Sequence, residues 1–410
     1  MGEEIKRRKL DIPSQEEGGI GKVLESIVQE ALVKRASDIH YEHTEKDLIV
    51  RFRIDGLLRE VFEIDGEEKD NLIQKVKVLA KMRTDEHFAP QDGRIAFVLE
   101  DEKVIDTRVS VLPTSKGEKI VMRLLSKEGK TFTLEEMGLT GVDLEKVQKA
   151  YARPYGTILV CGPTGSGKTT TLYTILKILN TRDKNITTVE DPVEYDIEGV
   201  NHVQVNVKAH LTFATGLRSI LRQDPDIIMI GEIRDSETAR IAINAAMTGH
   251  FVLSTLHTND AVTSIPRLID MGIERYLIAS TLNVIVSQRL GRKLCTKCKE
   301  QTTITQEDYV QLQRVRPDLA QHLNVGETVY TPKGCAECEY QGFKGRIGVF
   351  EVLEITKNIK EEILKDSDAE ALYNVAVQEN FKLMVYDGIE KIKAGVVPIS
   401  EIIRITALKE

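Results

Sequence analysis

The run Gly162-Pro163-Thr164-Gly165-Ser166-Gly167-Lys168-Thr169-Thr170 constrains this 410-residue chain more than any other segment. It fits G-x-x-x-x-G-K-[ST] and comes directly after the apolar stretch Gly156–Cys161, the strand-loop-helix setting in which such a loop cradles the phosphates of a nucleotide. The glycines let successive backbone N–H groups turn inward around an anion. Lys168 supplies a point charge, and the Thr169 hydroxyl is placed to hold Mg2+. A helix expected from Lys168 to Asn180 directs its positive end at the same phosphates.

A chain of 410 residues exceeds the size at which one core stops growing, so two or three domains are expected. Its 41% hydrophobic and 29% charged residues suit a soluble enzyme, and no apolar run approaches the ~20 residues needed to cross a bilayer. Met1 to Leu10 is polar and lacks the apolar segment of a secretory signal, so the expected location is the cytoplasm. The net charge of −8 argues against a generic nucleic-acid binder, because the phosphate backbone rewards a basic face.

Residues 1–125 read as an α/β module. Ile20, Val23, Leu24, Ile27, Ala31 and Leu32 recur at helical spacing, and Leu48, Val50, Phe52 and Ile54 share one strand face, which turns Arg51 and Arg53 the other way. Asp55-Gly56 follows as a hairpin turn. An amphipathic stretch Leu72–Met82 leads to strands at Arg94–Leu99, Val104–Val111 and Lys119–Leu125, with turns at Asp101-Glu102 and near Ser115-Lys116-Gly117. Residues 126–133 are polar and contain Gly129, as in a linker. From 134 to 410 the pattern alternates, with strands at Thr157–Cys161, Ile186–Glu190, Val203–Val207, Ile227–Ile230 and Phe251–Thr255. Helices follow most of them, which argues for a largely parallel sheet covered on both faces, the architecture of a P-loop NTPase. A cysteine-bearing insert spans 291–348 and a helical part 356–410, where Ser367-Asp-Ala-Glu370 has the capping-box form.

Two acidic elements end apolar strands: Glu190-Asp191-Pro192-Val193-Glu194, and Gly231-Glu232-Ile233-Arg234-Asp235. Parallel strands bring their C-terminal ends to the edge that holds the phosphate loop, so Glu190 and Glu232 can converge on Mg2+ and the attacking water. Either carboxylate can act as the base on this reading. The strand after Gly249-His250 ends in Thr255-Leu256-His257-Thr258, where His257 can sense a γ-phosphate or position water; His250 lies farther from that edge. Arg108 and Arg123 fall at or near strand ends of the N-terminal module, and Arg218 and Arg222 are expected four apart on one helix before Asp224-Pro225. Phosphoryl transfer builds charge that an arginine from another domain or subunit can stabilise.

Four of the five cysteines form two C-x-x-C pairs, Cys295/Cys298 and Cys335/Cys338, with 36 residues between the pairs. Four thiolates make a closed tetrahedral shell suited to structural zinc, favoured over a redox pair. Lys293, Lys297, Lys299 and Lys333 surround them with positive charge, which favours thiolate. Cys161, inside the strand before the phosphate loop, reads as a small buried hydrophobe.

Together these motifs resemble the secretion ATPases of the type II secretion and type IV pilus assembly family, over almost the whole chain. Ala36-Ser-Asp-Ile-His40, Arg51-Phe-Arg-Ile-Asp-Gly56 and Gln91-Asp-Gly-Arg94 are similar to its N-terminal module, Glu190–Glu194 to its aspartate box, Gly231–Asp235 to its Walker B, and Gly249 through Thr258 to its histidine box. The resemblance implies a PAS-like N-terminal module followed by a RecA-like ATPase domain, with ATP, Mg2+ and Zn2+ as cofactors. It further implies a homohexamer that turns an inner-membrane platform protein, is recruited through that protein's cytoplasmic partner, and associates peripherally with the membrane. Arg108 and Arg123 match its N-terminal nucleotide-contacting arginines, Arg218 and Arg222 its intersubunit pair, and Glu232 the stronger candidate for activating water. The cysteine quartet matches assembly and secretion members and is missing from retraction ATPases. Family members usually carry a further N-terminal docking domain, whereas this sequence begins almost at the second module.

Two other functions compete. A hexameric nucleic-acid motor also uses a RecA-like core, but should offer basic or aromatic channel loops, and here aromatics are 5% with no tryptophan. A zinc-stapled scaffold that only binds nucleotide would tolerate loss of Glu190 and Glu232, and both are present.

Overall fold

The alternating run Leu48–Ile54 forms a strand that buries Leu48, Val50, Phe52 and Ile54 and leaves Arg51 and Arg53 half-exposed on the other face. Asp55 and Gly56 both take positive φ, 48° and 90°, the backbone of a two-residue turn whose twist matches its flanking strands. This hairpin belongs to the first of two units, Met1–Lys130 and Thr131–Glu410, in the computed structural model, which describes residues 8–10, 19–99, 104–125 and 132–406.

The first unit contains, in chain order, β1 (Arg8–Lys9), α1 (Gly19–Val33), β2 (Ala36–His43), β3 (Leu48–Ile54), β4 (Leu57–Ile64), α2 (Gly66–Leu79), β5 (Gln91–Val98), β6 (Val104–Thr114) and β7 (Gly117–Leu125). The strands form one sheet of order β1-β4-β3-β2-β7-β6-β5, antiparallel except where β1 meets β4. Leu24, Ile27 and Val28 of α1 and Leu72 and Val76 of α2 join the core with Val50, Phe52, Val109 and Met122. Helix α2 begins six residues before the expected Leu72, because Gly66–Asn71 is a polar first stretch that apolar periodicity does not register. The turn expected at Asp101-Glu102 lies outside the described residues. On the face away from the core, register aligns Arg94, Arg108, Arg123, Asp38 and Arg53 in one row across five strands.

The second unit runs α3 (Gly141–Tyr151), β8 (Gly156–Cys161), α4 (Lys168–Leu179), β9 (Ile186–Glu190), β10 (Val200–Gln204), α5 (Phe213–Ile220), β11 (Ile227–Ile230), α6 (Ser236–Met247), β12 (Phe251–Leu256), α7 (Ser264–Asp270), α8 (Arg275–Thr281) and β13 (Leu282–Leu294). Then come β14 (Glu300–Thr303), α9 (Gln306–Val315), α10 (Pro317–Ala320), β15 (Thr328–Thr331) and β16 (Phe343–Glu354). Four helices close it: α11 (Lys357–Leu364), α12 (Ala369–Gln378), α13 (Met384–Lys393) and α14 (Ile399–Thr406). Its sheet has the order β10-β9-β11-β12-β8-β13-β16, parallel except for β16. Ile158, Val160, Met229 and Leu253 pack toward Val147 of α3 and Leu172 and Ile175 of α4. Leu159, Ile228, Ile230 and Val252 pack the opposite way, against Ala242, Ile243 and Ile278. Burial on both faces is why these strands read as continuous apolar runs.

Two local expectations shift. The strand expected at Val203–Val207 pairs at Val200–Gln204, since its register is set by the five residues of β9, Val200 opposite Ile186 and Gln204 opposite Glu190. The cap of α12 is Asp368, which accepts from the Ala371 N–H at 2.9 Å, one residue later than expected, because the Ser367 hydroxyl is committed to Glu362.

The antiparallel β13–β16 ladder, from Val284 opposite Glu354 to Leu294 opposite Phe343, is the stem that carries the cysteine segment. Glu401 of α14 clasps it, bonding the Arg292 N–H at 2.8 Å, the Arg292 guanidinium at 2.9 Å and the Arg404 guanidinium at 2.5 Å. Burial alone would raise this carboxyl, but Arg404 and Arg292 outweigh it and hold Glu401 down to about 2. A depressed carboxyl contributes fully above its ordinary 4.5 and loses that contribution as pH falls toward 2. Glu401→Gln is therefore expected to cost about 1–3 kcal/mol at pH 7, with the gap to the parent narrowing below pH 4.5. Thermal midpoints of the two proteins across pH check this, and a gap of equal size at pH 7 and pH 3 would contradict it.

Candidate nucleotide site and cysteine centre

Parallel strands open their C-terminal ends on one edge, and the groups singled out by the sequence stand along it: the phosphate loop after β8, Glu190 ending β9, Glu232 just past β11 and His257 just past β12. Ligands of open α/β sheets bind outside this edge. The loop needs its glycines: Gly167 caps α4 at φ 90°, and a Cβ on Gly162, at φ 140°, would lie 2.4 Å from the Gln288 carbonyl oxygen. Gln288 of β13 braces the loop, its amide donating to the Ser166 carbonyl at 2.6 Å and accepting from the Thr171 hydroxyl at 2.5 Å.

Lys168 folds onto the loop, its ammonium donating to the Gly162 and Pro163 carbonyls at 2.9 and 3.1 Å. Burial pushes this ammonium down, and the nearby Cys161 and Glu232 oppose the shift. Pro163, Thr164, Gly165 and Thr169 are exposed and Thr170 is half-buried, so the Thr169 hydroxyl stands in the first turn of α4 with access to a cation. The buried Ser166 Oγ has no hydrogen-bond partner among the described residues. An orphaned buried hydroxyl at the floor of a phosphate loop fits the presence of a further polar group there.

The two carboxylates have different surroundings. Glu190, 2% exposed, receives the Tyr173 hydroxyl on Oε2 at 2.5 Å, and the Thr188 hydroxyl and His202 Nδ1 on Oε1 at 2.5 and 2.8 Å. Burial, and then the charge of Glu190, push the Tyr173 phenol far up, so it remains a donor. Glu232 is more open and meets Arg234 at 2.7 Å and His257 Nε2 at 3.1 Å. Its backbone is fixed by the bonds on either side, Gly231 N to Val189 O at 2.8 Å and Ile233 N to Thr255 O at 3.0 Å. A carboxylate backed by a histidine and an arginine beside the phosphate-loop lysine has the setting of a group that handles water.

The arginines separate. Arg218 lies on α5 and pairs with Glu237. Arg222 falls outside the helix, contrary to expectation: α5 ends at Ile220, and Asp224, at φ 50°, turns the chain into Pro225. Residues before proline leave the helical region, and Arg222 folds back instead, donating to the Arg218 carbonyl at 2.9 Å. In the first unit Arg108 stands opposite Arg123. Arg123 uses Nε on Asp38 at 3.0 Å and keeps a side chain more than half exposed.

Nothing in the motifs pointed to Gln288, Tyr173, Thr188 or His202. Strand order brings His202 of β10 and Gln288 of β13, the latter more than 100 residues from the loop it braces, while Tyr173 comes from α4 and Thr188 from β9 itself. His250 sits at the opposite edge, its Nδ1 2.9 Å from the Ala245 carbonyl. Cys161 is fully buried and its thiol is pushed up to about 11 by burial, which leaves it inert.

The ligand atoms of Cys295, Cys298, Cys335 and Cys338 all lie within 4.8 Å of one another. The close sulfur pairs are 295–335 at 3.9 Å, 335–338 at 3.8 Å and 298–338 at 3.6 Å. Zinc–sulfur bonds of about 2.3 Å in a tetrahedron put sulfurs about 3.8 Å apart, so the donor set fits zinc. Backbone N–H groups of Gly334, Cys335 and Gly342 point at Cys298 and Cys338 sulfurs at 3.2–3.3 Å. Burial raises the Cys338 thiol, but the N–H groups of Cys335 and Gly342 prevail and bring it to about 7, whereas burial and the facing sulfurs push Cys298 up to about 12; the fit to zinc therefore rests on the sulfur geometry.

Residues 14–404 match the family model described as type II/IV secretion system protein. The type II secretion system ATPase E of Vibrio cholerae is 42% identical over 406 residues, covering 99% of this chain and 79% of that one. The type IV pilus assembly ATPase PilB of Myxococcus xanthus is 44% identical over 387 residues, covering 94% and 68%. Among solved structures, the pilus retraction motor PilT with bound ADP superposes with a TM-score of 0.61 at 25% identity, covering 94% of this chain and 97% of that one.

Proposed function

Since the chain belongs to the type II/IV secretion system protein family, we propose that it is the ATPase motor of a type II secretion or type IV pilus assembly machine, acting as a homohexamer. Hydrolysis of ATP is the activity of the relatives named ATPases, and a nucleic-acid motor is not retained. The observation that carries the reading is Glu232, held by His257 and Arg234 on the sheet edge that bears the phosphate loop and close enough to oppose the Lys168 shift.

In the proposed mechanism the backbone N–H groups of the Gly162–Thr170 loop, Pro163 excepted, and the Lys168 ammonium, which leaves the Gly162 and Pro163 carbonyls, hold the β- and γ-phosphates. Thr169 would hold Mg2+, which when bound neutralises charge on the phosphate oxygens. Glu232 takes a proton from water as the oxygen attacks the γ-phosphorus and the bond to the β-phosphate oxygen breaks. His257 orients Glu232, and Glu190 fixes the neighbouring water structure. Arg108 and Arg123, from the N-terminal unit, stabilise charge on the transferring group when the units close, and Arg218 and Arg222 act across the subunit boundary. The four cysteines hold zinc as a structural staple. The partners are an inner-membrane platform protein and its cytoplasmic docking partner, with peripheral attachment to the membrane. No helix among the described residues is long and apolar enough to cross a membrane. The cysteine quartet favours assembly or secretion over retraction.

The testing experiment is Arg123→Ala in the assembled oligomer. Turnover is expected to fall on the order of 10²–10³-fold with ATP binding nearly unchanged. Mixing with Lys168→Ala subunits, which keep Arg123, should restore hydrolysis only if the arginine serves a neighbour's site. Unchanged hydrolysis in Arg123→Ala would reduce the N-terminal unit to a docking surface and remove the motor's lever.

A further inference from the structure

The Glu190 carboxylate is almost fully subscribed. A carboxylate offers about four acceptor positions, and Thr188 and His202 occupy Oε1 while Tyr173 occupies Oε2. The tautomer of His202 follows from its other nitrogen, because the Ile197 N–H donates to Nε2 at 3.2 Å. A backbone N–H cannot accept, so Nε2 presents its lone pair and the ring proton resides on Nδ1. That proton is aimed at Glu190 Oε1, 2.8 Å away, with the Thr188 oxygen 3.0 Å to the side. The His202 side chain is 5% exposed and that of Glu190 is 3% exposed, so no bulk water replaces this bond. Tyr173, on the helix that starts at the phosphate loop, completes the arrangement by accepting from the Glu194 N–H at 3.4 Å.

We propose that His202 is a positioning residue for hydrolysis: its Nδ1–H occupies Oε1 of Glu190, fixes the rotation of that carboxylate, and leaves one acceptor position, on Oε2, for a water at the nucleotide. The inference deepens the proposed function and rests on its placement of Glu190 beside the reacting water. It also gives Glu190 a role distinct from that of Glu232. With three donors already bound, Glu190 orients a water by accepting one hydrogen bond, and the proton passes to the less encumbered Glu232.

The two ring nitrogens can be tested separately. An asparagine amide falls where Nδ1 lies and a glutamine amide where Nε2 lies. His202→Asn keeps a donor for Glu190 and loses the acceptor for Ile197, whereas His202→Gln keeps a partner for Ile197 and loses the donor. With the oligomer assembled and melting temperatures recorded, His202→Gln is expected to lower kcat on the order of tenfold with little change in the KM for ATP, and His202→Asn to stay within about twofold of the parent. In a Glu190→Gln background, His202→Gln should add nothing further, because the group it positions is gone. A loop-anchoring role predicts the reverse order of the two variants. That order, equal losses in both, or full additivity with Glu190→Gln would overturn the proposal. Parental turnover in Glu190→Gln itself would remove the underlying reading of Glu190, whereas a loss there with both His202 variants unaffected would remove His202 alone.

Discussion

Glu232→Gln binds Mg-ATP and holds it unhydrolysed, with kcat reduced on the order of 10²–10⁴-fold. The amide keeps the size and much of the hydrogen bonding of the carboxylate, so His257 and Arg234 still have an oxygen to meet, but it cannot take a proton from water. The neighbouring lysine serves a different step. Lys168 is the cation of the loop, bonded to carbonyls of Gly162 and Pro163, and its exchange of those partners for phosphate oxygens is a binding event. Lys168→Ala should therefore lose nucleotide affinity, whereas Glu232→Gln should retain it and trap the complex. Equilibrium binding of a labelled ATP analogue, alongside single-turnover hydrolysis, separates the two. Hydrolysis at the parental rate by Glu232→Gln would move the base role to Glu190, despite the three donors already bound to that carboxylate.

One zinc per chain is expected in freshly purified, reduced protein, and its removal should loosen the cysteine segment while leaving the nucleotide edge intact. Structural zinc in small sites contributes an apparent ~10–16 kcal/mol, far more than any single hydrogen bond in the insert. The segment has some support without metal: Ile304, Leu312, Leu319, Leu323 and Val329 pack with Ile389, Ile392 and Val397, and the Lys299 ammonium reaches the Gly395 carbonyl at 2.7 Å. Loss of metal should thus produce local opening rather than collapse. In Cys298→Ser, zinc content should fall to near zero, and amide exchange should accelerate across residues 295–342 but not in β8 or α4. ATP affinity should change less than about threefold, since the phosphate loop is braced by Gln288 inside the sheet. An absence of zinc by elemental analysis in the reduced parent protein would refute the centre.

What could be read from the sequence was local. The phosphate loop, the strand-ending Glu190 and Glu232 and the paired cysteines declare themselves because a strand, a tight loop and a knuckle are each specified within about ten residues, by period, glycine placement and ligand spacing. Parallel alternation then places both acids on one edge. The positions that differ in the structure were also local but depended on a competing partner. Arg222 left its helix because of the turn at Asp224-Pro225, β10 took its register from β9, and the cap of α12 moved to Asp368 because Ser367 had another partner.

The difference between two carboxylates that look alike in the chain arises only on folding. Strand order sets β9 between β10 and β11, which brings His202 to Glu190, while the helix after the loop brings Tyr173. Glu232 emerges past β11, where it meets His257 from the end of β12. Gln288 reaches the loop because β13 lies next to β8. Hydrophobic period specifies which face of a strand is buried, but it carries no record of which strand lies beside it. The identity of each residue's partner, and with it the chemical character of each acid, is fixed only when the sheet is assembled.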